Sequence, residues 1–216
     1  MPKRKRSTAV NAQFKKPRLT RKSVTLAQVN RKVNKLIYSK EVKHFDGSYD
    51  NTIPNTGAIV AITDIPQGDT EQTRDGNQVF VKSLHLKLWV KKNVNATHSA
   101  LRYLIVKDTR NAGAAPTLAE IFEGSANVLD FLEVNDASRG RFKVIRSGMI
   151  NQDDVSKGSF YEDWYIKQNQ KITFDGSSGS DYANNTYWGI FVSDQDVATG
   201  DMPTISFYYR VGYTDS

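Results

Sequence analysis

The chain of 216 residues contains no cysteine. Disulfide bonds, thiolate metal ligands and cysteine nucleophiles are therefore excluded. Long apolar runs are also missing: no stretch of 18 or more apolar residues occurs, and the N-terminus has no apolar segment of the kind that a secretory signal requires. We therefore expect neither a signal peptide nor a transmembrane span, and no membrane partner.

Motifs for catalysis and cofactor binding are also lacking. No glycine-rich phosphate loop, dinucleotide fingerprint or nucleophile elbow occurs. The three histidines, His44, His85 and His98, stand singly, whereas a cupin-type metal enzyme needs several together. None of the 23 acidic residues is marked out as half of an acid–base pair. The sequence predicts no enzyme, no required cofactor and no small-molecule substrate, with each histidine structural or exposed.

Negative charge is absent from the first forty residues, which hold 13 of the chain's 30 Lys and Arg and none of its 23 Asp and Glu. Beyond Lys40, 17 basic residues stand against 23 acidic ones, so a cationic arm precedes a mildly acidic body. A segment of one charge sign repels itself and binds polyanions by counterion release. We expect the arm to bind nucleic acid through Lys3, Arg4, Lys5, Arg6, Lys15, Lys16, Arg18, Arg21, Lys22, Arg31, Lys32 and Lys35.

The arm divides into two segments. Residues 1–22 have few apolar side chains, two prolines and clustered charge, which is typical of disorder. Within them Lys3-Arg4-Lys5-Arg6 has the composition of a nuclear import signal, although the same four charges would serve equally as phosphate contacts.

Residues 23–40 are predicted to form a basic amphipathic helix. Thr25 and Gln28 have the spacing of a capping box. Spacings of three and four residues, typical of one helix face, separate the apolar residues Leu26, Val29, Val33, Leu36 and Ile37. The cations lie off this stripe, so the helix either presents them to nucleic acid or is a plain amphipathic helix with a solvated face.

The body, residues 41–216, is predicted to be one β-rich shell domain. In residues 79–91, Leu84, Leu86 and Leu88 alternate with a second face that includes Trp89, so that second face is not wholly polar. A short helix is predicted at residues 118–123, capped by Thr117. The other strands are predicted at residues 41–49 (loosened at Gly47), 57–64, 101–108, 141–146, 160–166, 170–174, 187–192 and 204–214.

About eight strands with turn-rich connections favour an all-β antiparallel sandwich, for which an eight-stranded jelly roll is one closure. The pattern alone leaves an immunoglobulin-like or lectin sandwich open. No internal repeat is visible in the sequence.

Four motifs in order resemble the single jelly-roll coat proteins of satellite necrosis viruses such as satellite tobacco necrosis virus. Similar coats occur in small viruses with circular single-stranded DNA, including more distantly the geminiviruses. The matching residues are Ile65-Pro66-Gln67-Gly68-Asp69 with Thr73-Arg74-Asp75-Gly76-Asn77-Gln78-Val79 and Lys82-Ser83-Leu84, then Arg102 to Asp108 with Gly113 to Leu118, then Arg141 to Ile145, and the closing Tyr213-Thr214-Asp215.

The resemblance implies a capsid protein that self-assembles into a small T=1 icosahedral shell of about 60 copies around a single-stranded viral genome. Its two sheets would have the strand orders BIDG and CHEF, with residues 79–91 as strand C and residues 204–214 as strand I. The location would be the virion, and the host nucleus and cytoplasm. The nuclear motif favours DNA over RNA as the genome.

The resemblance also implies calcium at subunit interfaces, where hard oxygen ligands would screen crowded carboxylates. The matching positions are Asp75, Gln78 and Asp215, with Asp69 as a further candidate. The position of Asp75 need only supply a backbone oxygen, so its carboxylate is no evidence by itself, and solvated loop acids are the alternative. For the whole chain, the alternatives are a monomeric β-sandwich that binds nucleic acid or glycans with a basic tail, and, third, a cupin-type enzyme.

Overall fold

The computed structural model describes residues 25–38, 41–110, 113–122, 140–152 and 158–215. The nuclear import motif and the predicted nucleic-acid contacts from Lys3 to Lys22 lie outside these residues. The boundary between two structural units falls between Ser39 and Lys40.

Helix α1 spans Leu26–Tyr38 and begins at the predicted cap. The backbone nitrogen of Gln28 donates to the Thr25 hydroxyl oxygen at 3.4 Å, and the Thr25 nitrogen donates to the Gln28 side-chain oxygen at 3.3 Å. This reciprocal pair satisfies two of the free N–H groups at the start of the helix and confirms the capping box. In the part of the chain that the structure describes, no helix combines the length and apolar character needed to cross a membrane.

Two antiparallel sheets form the body. The first has the order β1-β9-β3-β6-β7 and the second β2-β8-β4-β5. The strands are β1 (Lys43–Thr52), β2 (Ala58–Ala61), β3 (Gln78–Lys91), β4 (Ala100–Asp108), β5 (Phe142–Asn151), β6 (Ser159–Phe174), β7 (Tyr182–Asn184), β8 (Thr186–Ser193) and β9 (Thr204–Asp215). With β7 set aside as a short addition, the sheet orders are BIDG and CHEF, so the predicted jelly roll is confirmed.

One strand assignment is wrong. Residues 79–91 form β3, which lies between β9 and β6 in the first sheet and is therefore strand D. Strand C is the four-residue β2, which pairs only with β8 at the edge of the second sheet. The assignment of residues 204–214 as strand I is confirmed by β9, which pairs with both β1 and β3.

Element boundaries also differ from the predictions. The two strands predicted at residues 160–166 and 170–174 are one strand, β6, because the polar residues between them keep the alternation, and pairing with β3 resumes at Gln170 after a register shift. β5 runs on to Asn151, and the short helix α2 ends early, at Leu118–Ile121. Its cap is as predicted, since the Glu120 nitrogen donates to the Thr117 hydroxyl oxygen at 3.2 Å.

The core lies between the sheets. In β3 the buried positions shift from Val79 and Val81 to Leu84, Leu86 and Leu88, because a bulge between Val81 and Ser83 inserts an extra residue. Each fully buried aliphatic side chain contributes roughly 1.5–3 kcal/mol relative to exposure. Phe191 of β8 meets Phe207 of β9 edge to face, with ring centroids 5.1 Å apart, which joins the two sheets.

Gly47 does not loosen β1, contrary to the prediction. The ring of Tyr209 lies over it so closely that a Cβ atom at Gly47 would be 2.3 Å from ring atoms. The glycine therefore admits a ring from the neighbouring strand, and β1 continues to Thr52.

Arg74 is fully buried and ties the loop before β3 to the turn after β6. Its guanidinium lies 4.1 Å from the centre of the Phe174 ring, and desolvation lowers its pKa. Backbone carbonyl oxygens compensate for the lost water; they belong to Ile65, Gly76, Gly176 and Ser178. This arginine of the Thr73–Val79 motif is therefore structural.

Candidate functional site

Helix α1 carries the only part of the predicted nucleic-acid contacts that falls within the described chain. Lys32 is exposed, whereas the side chains of Arg31 and Lys35 are outside the description. The apolar residues Leu26, Val29 and Val33 are also exposed, Leu26 by 79%. Lys32 and these three apolar side chains are thus open to a partner.

Two of the predicted calcium ligands, Asp75 and Asp215, are brought together around a lysine. The Lys43 ammonium lies 2.7 Å from Asp75 Oδ1 and 2.9 Å from Asp215 Oδ2. The Asp75 nitrogen donates to Asp215 Oδ1 at 3.2 Å, and Lys43 donates to the Thr73 carbonyl oxygen at 3.3 Å. The end of β9, the start of β1 and the loop before β3 therefore meet at one cation.

The other two predicted ligands do not complete a metal site. Asp69 is exposed in the turn that follows the strand bridge at Gln67, and Gln78 is exposed at the start of β3. Across the described ranges, no three His, Asp or Glu side chains are grouped so that they could hold a metal ion.

Charge explains why Lys43 fits between the two carboxylates. Its hydrogen bonds to Asp75 and Asp215 raise the pKa of Lys43, and the hydrogen bond from Lys43 lowers the pKa of Asp75. The ammonium thus screens the same two carboxylates that a calcium ion would screen.

Two of the three histidines have a ring nitrogen within 4 Å of a carboxylate oxygen. His85 Nε2 lies 2.7 Å from Asp163 Oδ1, which lowers the pKa of Asp163, and His98 Nε2 lies 3.8 Å from Asp194 Oδ2. His44 is exposed on β1. The histidines are therefore distributed singly, as the sequence predicts.

The solvent face of the first sheet carries aromatic side chains that no sequence motif marks as a site. The exposed fractions are 47% for Trp89, 55% for Tyr161, 64% for Tyr165 and 51% for Tyr208. Strand register sets them in three rows across β9, β3 and β6: Arg210–His85–Tyr165, Tyr208–Lys87–Asp163 and Ser206–Trp89–Tyr161. We call this surface the aromatic face.

A shallow cleft of about 380 Å³ lies in the aromatic face, lined by Lys87, Trp89, Tyr161, Ser206 and Tyr208. A second cleft of about 340 Å³ adjoins it on the side of β1. There Arg210 holds Asp46 through two hydrogen bonds of 2.7 and 2.8 Å, which lower the pKa of Asp46. The sequence signals for this surface are Trp89 on the otherwise polar face of β3 and the alternation that sets Tyr208 opposite the buried face of β9.

Comparison with known proteins identifies a matching family and several similar proteins. The description of the matching family is Geminivirus coat protein/nuclear export factor BR1 family, and the match covers residues 2–172. The chain is 28% identical over 110 residues to the capsid protein of Potato yellow mosaic virus (isolate Venezuela), covering 49% of this chain and 43% of that protein. It is 27% identical over 132 residues to the capsid protein of Satellite tobacco necrosis virus 1, covering 61% and 65%.

The coat protein of Maize white line mosaic Satellite virus is 25% identical over 172 residues, which is 76% of each chain. Among solved structures, the 60-mer BFDV capsid protein has a TM-score of 0.33 at 8% identity, covering 82% of this chain and 95% of that one. The chain spans less than two thirds of the length of the Potato yellow mosaic virus and Satellite tobacco necrosis virus proteins.

Proposed function

This chain belongs to the Geminivirus coat protein/nuclear export factor BR1 family and is a viral coat protein, and we propose that it assembles into a T=1 icosahedral shell of about 60 copies that packages single-stranded nucleic acid through its basic N-terminal arm. The observation that carries the proposal is the separation of charge along the chain. An arm with 13 cations and no acid precedes a jelly-roll domain whose balance is acidic.

Charge neutralisation supports packaging by the arm. About 60 arms would bring on the order of 800 positive charges into one shell, which offsets most of the phosphate charge of a genome of about a thousand nucleotides. Lys and Arg contact phosphates without reading bases, so this packaging is largely independent of sequence.

The acidic balance of the body supports the same division of labour. An outer surface of that sign has little affinity for stray nucleic acid, while arms that converge inside a closed shell concentrate positive charge. The role of the domain is structural: it forms the wall, and the arm binds the cargo.

Nuclear import is a further part of the proposal. Lys3-Arg4-Lys5-Arg6 would direct the newly made protein to the nucleus, where a DNA genome would be replicated and packaged. Sequencing the nucleic acid extracted from purified particles distinguishes a DNA genome from an RNA genome.

Particle size tests the proposal directly. The purified chain of 24.3 kDa should sediment as shells of about 1.5 MDa that contain nuclease-protected nucleic acid. A monomeric β-sandwich that binds nucleic acid or glycans would instead sediment near 24 kDa at every concentration. That result, together with no affinity for polynucleotides, would contradict the shell and the packaging role alike.

Calcium at subunit contacts stays a prediction for Asp69, Asp75, Gln78 and Asp215. In the single chain, Lys43 already supplies positive charge at Asp75 and Asp215. A calcium ion there would have to compete with this ammonium or draw further oxygen ligands from a neighbouring subunit.

A further inference from the structure

We propose that the aromatic face is a second binding surface for the packaged strand, on which nucleobases stack against Trp89, Tyr161 and Tyr208. This inference rests on the proposed packaging function and adds a site to it. The arm binds phosphates by charge, whereas the aromatic face would bind bases and therefore select single strands.

The concentration of exposed rings on one surface is the first argument. All four exposed aromatic side chains in the described part of the chain, Trp89, Tyr161, Tyr165 and Tyr208, lie on this face. Base–aromatic stacking is the main sequence-tolerant contact of proteins that bind single strands, because every base has a π face. Aromatic residues on an open β-sheet stack two or three bases in other single-strand binders.

The arrangement of the rings is the second argument. Trp89 is directly opposite Tyr161 across β3 and β6, and Tyr208 is opposite Lys87 in the neighbouring row. Neighbouring strands are about 4.8 Å apart, so residues in adjacent rows are near enough to contact one short stretch of nucleic acid. The cleft of about 380 Å³ between Trp89, Tyr161 and Tyr208 is of a size that holds a small organic ligand.

Charged side chains of both signs surround the rings. Asp163 lies 2.7 Å from His85 and 3.8 Å from Lys87, and Arg210 is paired with Asp46. The negative charges of Asp163 and Asp46 are therefore partly offset by neighbouring basic side chains. On the same face stand the cations Lys87, Lys91, Lys167 and Arg210 and the acids Asp46, Asp50 and Asp163. With charges so nearly balanced, most of the affinity should come from stacking, and it should depend less on salt than that of the arm.

Chain connectivity links this surface to the arm. α1 ends at Tyr38 and β1, the edge strand of the same sheet, begins at Lys43. Nucleic acid that is held by the arm is therefore tethered to the sheet that carries the aromatic face.

Tryptophan fluorescence of the full-length protein provides the test. Trp89 is the only exposed tryptophan of the three, since Trp164 and Trp188 are 5% and 2% exposed. We expect oligothymidylate and oligouridylate to quench the fluorescence at low salt and at about 0.5 M salt, where charge contacts are screened. A duplex of the same length should quench little, because its bases are already stacked on each other.

Two variants and one control locate the site. Trp89→Leu removes the reporter, so binding is followed by the anisotropy of fluorescently labelled oligothymidylate. Trp89→Leu and Tyr161→Leu should each weaken binding at about 0.5 M salt by about tenfold. Met149→Ala changes a side chain of the same exposure as Trp89, 47%, on β5 of the other sheet, and should leave binding unchanged. Sedimentation shows in each case whether shells still form.

Three results overturn the inference. The first is an absence of quenching when oligothymidylate binds, and the second is unchanged affinity in both aromatic variants. The third is a loss of shells in the variants with undiminished binding, because that result would make this face a contact between copies. In the first two, the intact chain still binds through its arm and the proposed function stands. If the intact chain binds no oligonucleotide at any salt concentration, the proposed function fails as well.

Discussion

Individual Lys and Arg side chains in this chain have different roles, which a count of basic residues does not reveal. Lys43 lies between two carboxylates, Arg74 is buried among backbone carbonyls, and Arg141 pairs at 2.9 Å with Asp108, which is fully buried. The net charge predicts the arm because its cations have no acidic neighbours in sequence. It does not predict which basic residues of the body are structural, since their partners are up to 172 residues away, as for Lys43 and Asp215.

Replacing Lys43 tests the role of this residue. Lys43→Met leaves Asp75 and Asp215 facing each other without a cation, and we expect the melting temperature at pH 7 to fall by a few degrees. Calcium should then raise the melting temperature of the variant more than that of the parent, because two unscreened carboxylates attract it. The exposed Lys143→Met on β5 is the control and should change neither value.

Acid should reduce the difference between the Lys43→Met variant and its parent. The pKa of Asp75 is lowered in the folded protein, so its contribution is present at neutral pH and is lost as the pH falls below about 4. The pKa of Lys43 is raised, so its contribution is lost only in strongly alkaline solution, above about pH 10. A melting difference that stays constant from pH 7 to pH 3 would show that the lysine acts through packing rather than charge.

At the scale of elements, local patterns predict a strand or helix correctly where the element carries its own sequence signal. The cap of α1, the alternation in β3 and the cap of α2 were all predicted. The pattern predicts a strand at residues 57–64, which contains β2, but the strand letters rest on the resemblance, which gave the letter C to residues 79–91. Sheet order depends on pairing between residues far apart in the chain, and the jelly roll itself was predicted through the resemblance.

The aromatic face could not be predicted for the same reason. Its rings come from β3, β6 and β9, and only the register among these strands places them on one surface. Sequence alternation identified Trp89 as facing away from the core, yet gave no means of placing Tyr161 or Tyr208 beside it. The basic arm needed no register, since its signal is contiguous.

Helix α1 offers a test at this scale. Reversing the charge of Arg31, Lys32 and Lys35 to Glu should weaken nucleic-acid binding and reduce the slope of log affinity against log salt by about two to three, if each contacts a phosphate. The same three residues changed to Gln separate lost attraction from added repulsion. Circular dichroism checks that the helix persists, since Glu and Gln are both good helix formers.

An unchanged salt slope in the Glu variant would mean that these cations do not contact nucleic acid. The exposed apolar residues Leu26, Val29 and Val33 would then be the functional side of the helix, with protein as the partner. The capping box at Thr25 is left intact in both variants, so the start of the helix serves as an internal reference.

The whole molecule combines a wall and a tether with separate sources of affinity. The jelly roll buries one side of each sheet in a shared core, which leaves the second side of the first sheet free to carry rings and charges. Phosphate binding by the arm weakens steeply with salt, while stacking on the sheet weakens less. A strand inside a shell would thus be held by two contacts that respond differently to ionic strength, and removing either one should leave the other measurable.

Deleting residues 1–22 separates the two contacts at the scale of the particle. The deletion removes nine of the arm's 13 cations but none of the residues that build the sheets. If charge sets the cargo, packaged nucleic acid per shell should fall by roughly two thirds, as measured by the ratio of absorbance at 260 and 280 nm of purified particles. A full-length variant with the same nine residues changed to Gln should show the same fall, which separates charge from length. If truncated shells hold as much nucleic acid as intact ones, the packaging affinity lies outside residues 1–22. Binding of the truncated protein to oligothymidylate at high salt would then show whether the aromatic face supplies that affinity.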